Sequence, residues 1–246
     1  MSKHMATLPE GLITATLLEV TPETPTIKRF VFDVSGQDFC YLPGQWIDLF
    51  LTLDEKIYVG GYSMTSAPGE TNRQIELAIQ HSDKHPVTRY LYESAVPGLK
   101  VQISQGQGAC VYDPDMGEQL VLIAGGVGIT PMMSILRSAV MLSPDAPVAL
   151  LYSAQKPEDF AFAQAIRELA EQHENVLAVF TCTEATEVPD WVHFTQRIDT
   201  PFLRDKNLPM TANYFICGPQ RMISEVEEGL LELAIPAGQI HYEKWH

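Results

Sequence analysis

Residues 119–137 read Gln-Leu-Val-Leu-Ile-Ala-Gly-Gly-Val-Gly-Ile-Thr-Pro-Met-Met-Ser-Ile-Leu-Arg, and they constrain the fold more than any other stretch. Leu120 to Ala124 is an unbroken apolar run, the pattern of a strand buried on both faces. Gly125, Gly126 and Gly128 then permit a sharp turn and leave no Cβ in the path of a ligand. Thr130 and Pro131 read as an N-cap and a first-turn proline. Beyond them Met133, Leu136, Val140 and Met141 fall at helical spacing. Strand, glycine turn and helix N-terminus together form an anion site, because unpaired N–H groups and the helix dipole converge there. The pyrophosphate of a dinucleotide is the obvious anion. The spacing departs from Gly-x-Gly-x-x-Gly, since Pro131 stands where the third glycine would be. From this stretch alone, a turn that is glycine-rich only for tightness remains an open reading.

The 246 residues allow one large domain or two small ones, and 46% hydrophobic against 19% charged residues is a globular composition. A formal net charge of −15 argues against nucleic acid and anionic membrane surfaces as partners. Cys40, Cys110, Cys182 and Cys217 are too widely spaced for a local Cys-x-x-Cys metal or iron–sulfur site, so no metal is expected. No apolar region follows Met-Ser-Lys-His-Met, and no run reaches the about 18 apolar residues that span a membrane. The expectation is a soluble, cytoplasmic protein.

Up to about Ile103 the chain reads as short strands with turn signals: 12–20, 26–34, 45–53, 57–63, 74–80 and 100–104, with one short helix over 86–94. Many short antiparallel strands closing on themselves predict a small β-barrel. Residues 111–118, polar with Pro114 and Gly117, read as a linker. After it, strands at 120–124, 148–152, 176–182 and 213–217 alternate with helices at 131–142, 157–173 and 220–233. That rhythm predicts a doubly wound α/β parallel sheet. The expected division is a barrel domain over 1–114 and an α/β domain over 115–246.

Four further stretches carry candidate chemistry. Gly60-Gly-Tyr-Ser-Met-Thr-Ser-Ala-Pro68 ends a barrel strand and offers a flat ring at Tyr62 beside the Ser63 hydroxyl. His85-Pro-Val-Thr-Arg89 opens a helix, where Thr88 and first-turn N–H groups suit another phosphate. His81 and His85 read as solvated loop residues. Cys217-Gly-Pro-Gln-Arg-Met222 is a second strand-to-helix turn, placed by a doubly wound sheet at the same crevice as Gly125. The tail Ile240-His-Tyr-Glu-Lys-Trp-His246 holds an aromatic pair that would dock on something. Each has a plain alternative: a Ser/Thr turn, an ordinary helix start, a buried small cysteine, and packing of Trp245.

Taken together and in order, these stretches resemble the ferredoxin–NADP reductase-like flavoprotein superfamily across nearly the whole chain. Pro43-Gly-Gln-Trp46 is similar to its barrel-strand signature, Tyr62-Ser63 to the core of its Arg-x-Tyr-Ser-x-x-Ser flavin motif, and Gly125–Ser134 to its nicotinamide-dinucleotide loop. Cys217-Gly-Pro219 with Met222 is similar to its nicotinamide-end motif, and His241-Tyr-Glu243 to its C-terminal strand. Val59-Gly-Gly-Tyr-Ser and the ending Glu-Lys-Trp resemble more narrowly its oxidoreductase NAD-binding domain-containing branch.

The resemblance implies an FAD-dependent NAD(P)H oxidoreductase that passes hydride from nicotinamide C4 to flavin N5 and electrons on to a separate acceptor, a small molecule or a protein. Catalytic positions would be Tyr62, Ser63, Cys217 and Glu243. Cofactor contacts would come from Gly61, Tyr62, Ser63, Met64, Thr65, Pro86, Val87, Thr88, Arg89, Gly125, Gly126, Gly128, Thr130, Cys217, Gly218, Pro219 and Trp245. Two positions depart from the pattern: Gly60 replaces the family's flavin-motif arginine, and His85-Pro86 replaces its usual glycine. Arg89 or Lys84 would then have to offset the flavin pyrophosphate. NADH is favoured over NADPH, because Ser153-Ala-Gln155 and Thr181-Cys-Thr-Glu184 offer no cation for a 2′-phosphate, with Lys156 the nearest exception. The alternatives are a flavin reductase with exchangeable flavin, a non-catalytic binding or regulatory subunit, and a nicotinamide sensor.

Overall fold

The computed structural model describes residues 3–5, 7–70, 73–117, 119–185 and 187–243. Its first half is a seven-stranded antiparallel sheet built from β1 (Lys3–Met5), β2 (Ile13–Pro22), β3 (Ile27–Asp33), β4 (Trp46–Leu53), β5 (Lys56–Ser63), β6 (Gln74–Gln80) and β7 (Lys100–Ile103), in the order β1-β5-β4-β7-β2-β3-β6. A bridge between Met64 and Leu77 brings the end of β5 against β6 and curls the sheet round. Inward residues such as Leu17, Phe30, Ile47, Leu49 and Leu77 fill the barrel core, as period-two patterning dictates. α1 (Pro86–Ser94) plugs it with Val87 and Leu91.

The second half is a five-stranded parallel sheet, β10-β9-β8-β11-β12, formed by β8 (Leu120–Gly125), β9 (Val148–Ala154), β10 (Val176–Cys182), β11 (Asn213–Cys217) and β12 (Ile240–Tyr242). α2 (Ile129–Leu142), α3 (Ala163–Gln172), α4 (Thr200–Asp205) and α5 (Gln220–Glu232) lie between its strands in sequence. β8 is buried along its entire length, as its apolar run requires. Two apolar cores flank the sheet, one on the α2 side and one against α4 and α5.

Three local expectations are corrected. α2 starts at Ile129: a 3-10 turn over Gly126–Gly128 runs straight into the helix, so Gly128 is the N-cap. The Thr130 hydroxyl donates back to the Val127 carbonyl at 3.0 Å instead of capping. The helix predicted over 157–173 is broken. A 3-10 turn at Pro157–Asp159 is followed by Phe162 in the left-handed region (φ 60°), and α3 begins after it. The N–H of Phe162 donates to Glu23 Oε1 of the barrel half at 2.7 Å, a partner 139 residues away that fixes the break. Glu158 and Asp159 therefore belong to the short turn, where Asp159 accepts from the Lys156 N–H at 3.2 Å.

Candidate active site between the two halves

One cavity of about 1080 Å³ opens between barrel and parallel sheet. Tyr62, Ser63, His85 and Thr88 line it from the barrel side. Gly125 to Gly128, Thr130, Cys217, Gly218 and Pro219 line it from the other. These are the ends of β5, β8 and β11 and the N-terminal turns of α1 and α2, so separate sequence stretches converge on one space.

The floor depends on glycine. A Cβ on Gly128 would lie 2.3 Å from the Cys217 carbonyl oxygen and 2.6 Å from the Gly218 nitrogen. On Gly218 it would lie 3.1 Å from the Gly125 nitrogen, and on Gly125 2.4 Å from Met222 Sδ. The turns after β8 and β11 thus touch backbone to backbone, and no other residue type permits that approach. Gly126 is different: it takes φ +54°, and a Cβ there would meet nothing within 4 Å.

On the barrel side, Tyr62 and Thr88 share a hydrogen bond of 2.9 Å between their hydroxyls. The Tyr62 ring lies back over Gly60, where a Cβ would be 2.5 Å from the phenol oxygen. A glycine at position 60 therefore makes room for this ring pose. His85 caps α1, its Nδ1 accepting from the Thr88 N–H at 3.4 Å and lying 3.2 Å from Thr88 Oγ1. Burial lowers the His85 pKa, and a hydrogen bond to the Val59 backbone only partly opposes this, so the ring stays neutral and able to accept.

Burial pushes the Tyr62 phenol up to about 12 despite the Thr88 hydrogen bond, and Tyr41 likewise to about 12. The folded values exceed the ordinary value of 10.0, so stability is intact below pH 10 and is lost as pH rises through 12. Thermal melts across that range should show a shallower alkaline loss in Tyr62→Phe than in the wild type. Identical slopes would place the alkaline transition elsewhere.

Several predicted positions do not reach the cavity. Met64 is wholly buried in the barrel core, and Val87 packs there too. Thr65 donates its hydroxyl to Glu76 Oε1 at 2.7 Å, and its N–H to the Glu76 carbonyl. Arg89 and Lys84 are exposed and outside the lining, and half-buried Pro86 is outside it too. Glu243 accepts the Ala109 N–H at 3.1 Å and crowds Gly108 together with Trp46, which joins the two halves without entering the cavity. Trp245 lies outside the described residues. Cys217 is buried at the end of β11 and close enough to Cys110 to raise its pKa, although burial is the larger cause there.

Sequence reasoning also missed residues. Arg197 and Arg221 also line the cavity, as do Gln155, Thr183, Asp159 and Glu225. Glu184 and Lys156, weighed in the coenzyme argument, are not in the lining. Arg197 arrives because residues 193–196 fold back along β10: Phe194 bridges Thr181, and the Cys182 N–H donates to the Phe194 carbonyl at 2.9 Å.

The halves are pinned beside this site. Arg137 of α2 donates to Glu76 at 2.9 Å and to the Thr65 carbonyl at 3.0 Å, and Ser134 donates to the Ser66 carbonyl at 2.7 Å. Arg29 reaches the other Glu76 oxygen at 3.3 Å.

Comparison with known proteins places this architecture. The domain family described as oxidoreductase FAD-binding domain matches residues 14–112, and that described as oxidoreductase NAD-binding domain matches 122–228. Over 256 residues the chain is 31% identical to oxidoreductase NAD-binding domain-containing protein 1 of Bos taurus, covering 96% of this chain and 81% of that protein. The chain belongs to the oxidoreductase NAD-binding domain-containing family. The family is one of flavin- and nicotinamide-binding oxidoreductases with the ferredoxin reductase-like fold. The FAD/NAD-binding domain of nitric oxide dioxygenase from Vibrio cholerae superposes with a TM-score of 0.83 at 25% identity, over 95% of this chain and 98% of that one. A ferredoxin NADP+ reductase from Neisseria gonorrhoeae, with FAD and NADP bound, gives 0.81 at 21% identity over 96% and 99%. Among the described residues, no helix is long and apolar enough to cross a membrane.

The residues fit such cofactors unevenly. The backbone cradle at Gly125–Gly128 and Gly218 suits a dinucleotide approaching closely. At the barrel end the lining offers a ring, hydroxyls and a neutral histidine, with no arginine or lysine among the described residues.

Proposed function

We propose that the chain is an FAD-dependent NAD(P)H oxidoreductase, with residues 1–114 taking the flavin and 115–246 the nicotinamide dinucleotide. The observation that carries this reading is the single cavity shared by Tyr62, Ser63 and Thr88 with Gly125–Gly128 and Cys217–Pro219. Bound flavin would supply an electron-pair acceptor at N5 for hydride from nicotinamide C4. The chain's own work is positioning and exclusion of water. The Tyr62 ring is the stacking surface, and Ser63 the hydroxyl beside the flavin edge. Thr88, at the start of α1, is the pyrophosphate donor. Gly126, Gly128 and Thr130 hold the second pyrophosphate at the start of α2, and Cys217 shapes the nicotinamide pocket. NADH is the preferred donor, supported by the lack of lysine or arginine within Ser153–Gln155 and Thr181–Glu184 and by the pairing of Arg221 with Glu225. Electrons then pass to a separate acceptor.

A second reading, a flavin reductase that releases its flavin, is supported by Gly60 and by the lack of a lysine or arginine at the barrel end. A visible spectrum of purified protein separates the two. A flavin band that survives desalting and bleaches under anaerobic NADH is the expected result. A band seen only with added flavin, with turnover following flavin concentration, makes flavin a substrate. Neither binding nor bleaching would reduce the chain to a binding subunit on a reductase fold.

A further inference from the structure

The reacting ends of two dinucleotides must meet between the halves, so the other end of the nicotinamide coenzyme extends over the C-terminal edge of the parallel sheet. Besides the glycine turns and Cys217–Pro219, this half lines the cavity with Arg197, Arg221, Asp159, Glu225, Gln155 and Thr183. Arg221 stands in the first turn of α5, where its charge opposes the helix dipole. Its partner is Glu225, whose Oε1 lies 2.6 Å from Nε. An arginine four residues N-terminal to a glutamate is the weaker orientation for helix stability. Helix formation therefore does not explain this pair, and its place on the cavity wall does. Arg221 remains 77% exposed at its side chain, within reach of a ligand. Arg197 has no ion-pair partner among the described residues.

The geometry points to Glu225 as the residue that sets coenzyme choice, by occupying Arg221 and presenting a carboxylate where a 2′-phosphate would sit. The inference rests on the nicotinamide-dinucleotide reading given above. With Glu225 in place Arg221 is occupied and the cavity wall carries two carboxylates, Asp159 and Glu225, which suits an adenosine ribose with free hydroxyls. Without it, Arg221 becomes a fork-shaped donor for phosphate beside Arg197.

The test is calorimetric titration with 5′-AMP and 2′,5′-ADP, which probe this end without flavin or turnover. The wild type should prefer 5′-AMP. Glu225→Gln should shift the affinity ratio toward 2′,5′-ADP by about tenfold or more, the effect of one freed charge-assisted hydrogen bond. The double variant Glu225→Gln/Arg221→Gln should lose that gain, which separates a freed arginine from simple removal of negative charge. An unchanged ratio in Glu225→Gln, or the same gain in the double variant, overturns the inference alone. If neither nucleotide binds any of the three proteins, the nicotinamide-dinucleotide reading fails and takes this inference with it.

Discussion

Gly128→Ala is expected to lower kcat/KM for NADH-driven flavin reduction by about a hundredfold, the scale of a misplacement near 1 Å between reacting groups. The added methyl group would meet the Cys217 carbonyl carbon at 2.4 Å and its oxygen at 2.3 Å. Those atoms are backbone at the end of β11, where Cys217 pairs with Ala124 of β8. They cannot rotate away as a side chain can, so the start of α2 and the Cys217–Gly218 turn must separate. Overpacking of this kind also costs about 1–3 kcal/mol of stability. Gly126→Ala is the control: its neighbourhood is open, and only the positive φ resists, at about 1–2 kcal/mol. Comparing steady-state kinetics and melting temperature for both variants decides the matter. Wild-type kinetics in Gly128→Ala would falsify the claim that the two turns need contact.

Glu76→Ala should produce the largest loss of stability among the polar residues at the seam. Its carboxylate serves Arg137, Arg29 and the Thr65 hydroxyl, and its side chain is only 12% exposed. Removing it leaves Arg137, itself 16% exposed, with Glu70 at 3.8 Å and the Thr65 carbonyl. Losing the main partner of a largely buried charge costs about 3 kcal/mol, which corresponds to a fall in Tm of about 10 °C for a chain of this size. Glu70→Ala should cost less than about 1 kcal/mol, since its pair is longer and more exposed. Urea titrations of the two variants test the ordering, and equal losses would show that Glu76 is not the hub of the network.

Legibility in the sequence followed the range of the forces involved. β8, α2 and the Cys217–Pro219 turn were readable because apolar periodicity and glycine chemistry act within a few residues. The meeting of Gly125 and Cys217 at one crevice followed from the alternation of strand and helix, whereas Tyr62 and Thr88 were joined to it only through the family resemblance. What escaped was set by partners far along the chain. The break at Phe162 depends on Glu23, and the spending of Thr65 depends on Glu76. Arg197 escaped notice because nothing local announces that residues 193–196 return to lie parallel beside β10. Met64 and Val87 were expected at the site from the family resemblance, yet both are buried in the barrel core. The bridge to Leu77 accounts for Met64 and the inward face of α1 for Val87.

Ile27 and Ala78 sit on barrel strands, yet both are buried in the apolar core on the α2 side of the parallel sheet. The two halves are therefore not interchangeable cassettes. A chimera joined within residues 111–118 would import a foreign barrel whose residues at these two places were fitted to another sheet. Recombination between relatives should succeed only when Ile27 and Ala78 travel with the half they complete.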